Sequence, residues 1–136
     1  MFGARAYAQV GLESGVNSAS PHRLIVMLYA GAIEAIRRAR LCMESGQVEM
    51  KGDAIGKALR IVNEGLALAL DKKQGGELAE RLLGLYDYIG QELVLANVKN
   101  DATKLDECLD LLENLKSAWE EIGNPQTPLN VSSTPL

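Results

Sequence analysis

GGELAERLLGLYDYIGQELVLANVKND, residues 75–101, decides the fold. Apolar side chains recur in it at Leu78, Leu82, Tyr86, Ile89, Leu93 and Ala96, a three-to-four-residue spacing that collects them on one face of an α-helix. A glycine pair opens the run and Asn100-Asp101 stops it. Val, Ile and Thr do not alternate with polar residues over a strand's length anywhere in the chain.

The same pattern extends on both sides. Ser20-Pro21 is a helix start, because the serine oxygen accepts from free first-turn amides and proline fits the first helical position. Leu24, Ile25, Leu28, Tyr29, Ala32, Ile36, Ala39 and Met43 form the stripe of that helix, and Ser45-Gly46 ends it. A second helix is expected over about 48–70, with Ile55, Leu59, Val62, Leu66 and Leu70 in line and Ile61 and Leu68 beside them. Asp71 to Gly75 reads as the turn into the third helix, which runs to about Val98. The fourth spans about 102–122, with Leu105, Leu109, Leu112, Leu115 and Trp119 in line and Cys108, Leu111, Ala118 and Ile122 adjoining. Gly123-Asn124-Pro125 closes it. Short connections between long helices turn each back beside its predecessor, so the fold expected is all-α: an antiparallel up-down-up-down four-helix bundle. Residues 1–19 hold a short helical segment, with Ala6, Tyr7, Val10 and Leu12 apolar, and a polar linker that together read as a detachable clip. Residues 20–122 form the bundle, and residues 123–136, rich in proline and without a period, form a flexible, disordered tail.

Composition narrows the function. A chain of 136 residues with 47% hydrophobic and only 4% aromatic content is one domain whose core is built from Leu, Ile, Val and Ala. The net charge of −4 argues against nucleic-acid binding, and Arg37, Arg38 and Arg40 are balanced by Glu34 and Glu44. The N-terminus lacks the features of a secretory signal, and no apolar stretch of about 18 residues exists to insert in a membrane, so a cytoplasmic protein is expected. Cys42 and Cys108 read as buried, reduced thiols. A single histidine, His22, cannot build a multi-histidine metal site, and it reads as a surface residue near the helix cap. Gly75-Gly76 lacks the rest of a phosphate loop, and acidic pairs such as Glu120-Glu121 read as solvated faces. No catalytic residue, cofactor or metal is expected.

Helices two to four carry more apolar positions than one seam needs: Ile61, Leu68, Leu83, Val94 and Leu111. They either widen the core and scatter on the surface, or line grooves for a partner helix.

Five blocks bear on that choice: AYAQV (6–10), SASPHRLIVMLYAGAI (18–33), KALRIVNEGL (57–66), the residues 75–101 quoted above, and LLENLKSAW (111–119). In content and order they resemble the flagellin export chaperones of the FliS family. The resemblance implies a non-enzymatic cytoplasmic chaperone that binds the C-terminal region of flagellin, prevents premature polymerisation and keeps it competent for flagellar type III export. It also raises the flagellar export gate and flagellar regulatory proteins as further partners. Tyr7 matches a family tyrosine of the client-binding region, or is a packing residue of the short first helix. With Tyr7, the positions expected to touch a partner are Val10, Leu28, Ile61, Leu68, Leu83, Val94 and Leu111. Two departures stand out: Arg23 where the family often completes a capping box, and Ala30 where it commonly has an acid. Asn97 also matches and reads as a helix cap. The rival reading is a helical adaptor for some other amphipathic helix.

Overall fold

The computed structural model describes residues 20–122, which are helical with short connections. Helix α1 is Pro21–Glu44. Ser20 caps it as expected, its hydroxyl accepting from the Arg23 amide at 3.1 Å. Helix α2 covers 48–69 in three parts: an α-helical Val48–Arg60, a π-helical Ile61–Leu66 and a last α turn, Ala67–Ala69. Helix α3 is Lys72–Lys99 and α4 is Ala102–Ile122.

Pairings between helices join starts to ends. Early in α1, Leu28 packs where a side chain on Gly65 of α2 would stand, and Arg40 near its end forms a bidentate pair with Asp106 at the start of α4 (2.5 and 3.0 Å). Glu92 of α3 meets Lys104 of α4 at 3.2 Å. Sequential helices therefore run in opposite directions, with α1 between α2 and α4 and the seam filled by Leu28, Ile36, Ile55, Ile89, Leu93, Leu105 and Leu112.

The π turn was not legible in the sequence. Its Ala67 amide reaches back to the Val62 carbonyl, so one extra residue is accommodated in the turn. Ile61 and Val62 both face the core, along with Gly65 and Leu66. Ile61 is therefore not beside the stripe but part of it. Gly65 is the residue that permits the contact, since a Cβ there would lie 3.1 Å from Leu28 Cδ2.

The α2–α3 connection is shorter than the turn expected over Asp71 to Gly75. Asp71 accepts from the Lys73 and Gln74 amides, both at 3.1 Å, and starts one helical turn. Gly76, at φ 50° and ψ −126°, then breaks the path before the helix resumes, a backbone state that only glycine adopts without strain. At the other end, Asn100 sits in the left-handed conformation expected of a helix stop.

Lys51 is the buried cation of the described core surface. Its ammonium donates to the Asn97 carbonyl at 3.1 Å and to Asn100 Oδ1 at 2.9 Å, placing positive charge on the open carbonyl end of α3. Lys51 thereby ties the start of α2 to the end of α3. Lys51→Met should lower unfolding free energy by about 2 kcal/mol in urea titrations, the scale of charge-assisted hydrogen bonds lost from a buried site. A change below about 0.5 kcal/mol would show that the tie does not hold the helix ends.

Candidate functional site

At the end of the bundle where α1 and α3 begin and α2 and α4 finish, the seam opens into a cleft of about 420 Å³. Leu66, Ala79, Leu82 and Tyr86 form its buried floor, while Ile25, Leu70, Leu78 and Trp119 stand half-buried around it. These are stripe residues from all four helices. The opening has a local cause: Ala69, Gly75 and Ala79 supply little side-chain volume where a large residue would close the layer. A side chain on Gly75 would strike Ala79 Cβ at 2.8 Å, so the narrow wall is itself required.

Two polar features border the cleft. His22 Nε2 lies in a short hydrogen bond with the Trp119 carbonyl, in the last turn of α4 where carbonyls lack helical partners. His22 is half-buried rather than fully exposed, and this contact joins the first turn of α1 to the last of α4. Behind the floor, the hydroxyls of Tyr29 and Tyr86 meet at 2.5 Å, with ring centroids 6.4 Å apart. Burial pushes the Tyr86 hydroxyl up to about 12 and that of Tyr29 higher still.

A second, more polar cleft lies between α2 and α3, lined by Leu59, Asn63, Gly90, Gln91 and Val94. Gly90 faces Leu59 and Asn63 across this cleft.

The expected partner positions scatter. Tyr7 and Val10 lie outside the described residues. Leu28 and Ile61 are core residues with 0% exposure and offer no surface, the first because it fills the space over Gly65 and the second because it continues the buried Ala54 and Ala58 face of α2 and packs over Gly31. Leu68 is 60% exposed but lines neither cleft. Leu83 and Leu111 are half-buried, Leu111 against the core, and Val94, 47% exposed, lines the second cleft. Sequence reasoning sought the groove among surplus positions, whereas the apolar bundle-end cleft is made by the stripe itself. The available signal was the run of small residues, Ala69, Gly75, Gly76 and Ala79, at one end of that stripe.

Residues 3–126 match the family described as Flagellar protein FliS. The chain belongs to the FliS family. It is 50% identical over 121 residues to the flagellar secretion chaperone FliS of Salmonella typhimurium, covering 89% of this chain and 90% of that protein. FliSB of Pseudomonas aeruginosa is 46% identical over 120 residues (88% and 94%), and FliS of Bacillus subtilis 33% over 109 (80% and 80%). Family membership accords with a chaperone's binding role, which is non-enzymatic. Among the described residues no helix is long and apolar enough to cross a membrane, and no cluster of three or more His, Cys, Asp or Glu side chains is placed to hold a metal ion.

The tyrosine pair gives the FliS bundle a pH signature. Both hydroxyls stay protonated when folded, whereas in the unfolded chain they ionise near the free value of about 10. Stability from this source is complete below pH ~10 and declines as pH rises towards about 12. Urea midpoints measured from neutral to alkaline pH should fall through that window, and fall less in a double variant Tyr29→Phe, Tyr86→Phe. Equal alkaline losses in both proteins would contradict the assignment.

Proposed function

We propose that this FliS-family chain is a cytoplasmic export chaperone that holds the C-terminal region of flagellin and keeps it from polymerising before secretion. The observation that carries the reading is the open cleft at the bundle end. Its walls are apolar side chains at helical spacing, contributed by all four helices and backed by a packed floor. An amphipathic helix can insert its own apolar residues there at i, i+3 and i+4. Covering those residues removes the surface through which client subunits would associate.

The second cleft, with Val94, extends the contact along α2 and α3. Leu68 and Leu83 are offered as contacts on neighbouring surface, and Tyr7 and Val10 as client contacts from the N-terminal segment. The export gate and flagellar regulatory proteins are further partners of the loaded chaperone. No step of this function calls for catalysis or a cofactor: the free energy comes from apolar burial, at roughly 25 cal/mol per Å² before ordering costs.

Mixing the purified chain with monomeric flagellin should give a soluble one-to-one complex on size-exclusion chromatography with light scattering. Flagellin truncated of its last helices should not join it. Undiminished binding of the truncated protein would leave a general helical adaptor as the better reading.

A further inference from the structure

The cleft between α2 and α3 holds polar groups that the bundle leaves unanswered. Leu59, Val94 and Leu95 give it apolar walls, and Asn63, Asp87 and Gln91 stand among them. Gln91 Nε2 donates to Asp87 Oδ2 at 2.9 Å. A carboxylate can only accept, so this bond turns the Gln91 amide nitrogen towards Asp87 and leaves its Oε1 an open acceptor. Asp87 keeps its other oxygen, Oδ1, without a donor among the described residues. The Asn63 carboxamide lies over Gly90, where a Cβ would come 3.6 Å from Oδ1, and it adds a further acceptor.

What this set of oxygens lacks is a cation. No Lys, Arg or His belongs to the described lining. One helical turn to either side of Asp87 stand Leu83, Gly84, Gly90 and Gln91, so its own helix offers no ion pair at i±3 or i±4. The nearest basic residues along the two helices are turned elsewhere. Arg60 folds back along α2 to 3.7 Å from where a Cβ on Gly56 would stand, and Arg81 pairs with Glu77 at 3.3 Å.

A helix laid over the cleft takes water from the Asp87 carboxylate. An apolar side chain there would strand the charge, an acid would repel it, and a neutral amide would leave it uncompensated. A Lys or Arg answers both parts of the cleft at once. Its methylene stem covers Leu59, Val94 and Leu95, while its head donates to the open oxygens.

We propose that Asp87 is a specificity-determining contact of the chaperone, receiving a Lys or Arg that the client helix presents beside its apolar residues, with Gln91 and Asn63 as further acceptors. This rests on the client reading given under Proposed function. The contact sets the client's register along α2 and α3, because apolar walls accept any apolar neighbour whereas Asp87 is the one charged side chain of the described lining.

The test is isothermal titration of the full chain with a soluble fragment of flagellin's C-terminal region. Asp87→Asn keeps the size of the side chain and removes its charge, and Asp110→Asn removes the same charge from the exposed side of α4. Asp87→Asn should raise Kd by about fivefold at low ionic strength, and the difference should shrink below about twofold in about 0.5 M salt. Asp110→Asn should change Kd by less than about twofold. Among single Lys or Arg to Met changes in the client, which retain the apolar stem, one should weaken binding to the natural chain by about fivefold yet add nothing against Asp87→Asn. The client series with the unaltered chain stands even if a variant fails to fold. Equal effects of the two Asn variants, an Asp87→Asn loss that salt does not reduce, or a client series without a sensitive basic position would overturn the inference. Failure of the unaltered chain to bind the fragment would instead overturn the client reading itself, and would be seen before any variant is made.

Discussion

Four apolar stripes must bury one another, and a stripe stays buried only as far as side chains from its neighbours reach across it. That constraint governs this protein. Over most of the bundle the stripes of α1 to α4 interlock without exposure, through Leu28, Ile36, Ile55, Ile89 and Leu105. At the end where α2 gives way to α3 the facing positions are Ala69, Gly75 and Ala79, and the seam opens. The cleft is therefore a continuation of the core rather than a feature added to the surface. It combines a rigid floor with an apolar opening, which is what holding a pliable segment requires.

The polar contacts keep that opening in shape. Ser20, His22 and Asp71 all act at helix ends around the cleft: a cap on α1, a tie from α1 to the last carbonyls of α4, and a cap on the turn before Gly76. At the opposite end, Lys51 and the Arg40–Asp106 pair fix helix ends to each other, and the Arg40 guanidinium holds the Asp106 carboxyl below the usual carboxylate range. The surface pairs contribute little individually. His22, expected as a surface residue near the cap, has one ring nitrogen committed to the Trp119 carbonyl.

Most of the architecture was legible because it rests on local chemistry. The Ser20-Pro21 start, the Asn100 stop and the spacing of Leu82, Tyr86, Ile89 and Leu93 each specify a helix or its end without reference to distant residues. The site was far less legible. Periodicity at 3.6 residues assumes an unbroken α-helix, so the π turn at Ile61–Leu66 shifts the faces of α2 in a way that spacing cannot register. Ile61 and Leu28 proved to be core, as members of stripes that neighbouring helices cover, and Leu66, Leu70 and Leu78 line the cleft. Whether a stripe residue is covered depends on the size of residues facing it from another helix. Lys51 illustrates the same limit, because its burial depends on carbonyls nearly fifty positions away.

The central claim is that the uncovered end of the core seam receives the client. Hydrogen exchange of the chain with and without flagellin's C-terminal region addresses it directly. Protection should increase at the turn and first helical turns around residues 70–79 and in the last turn of α4, where the cleft walls lie. Protection confined to the α1–α4 face carrying Arg37 and Glu113, with the 70–79 segment unchanged, would contradict it.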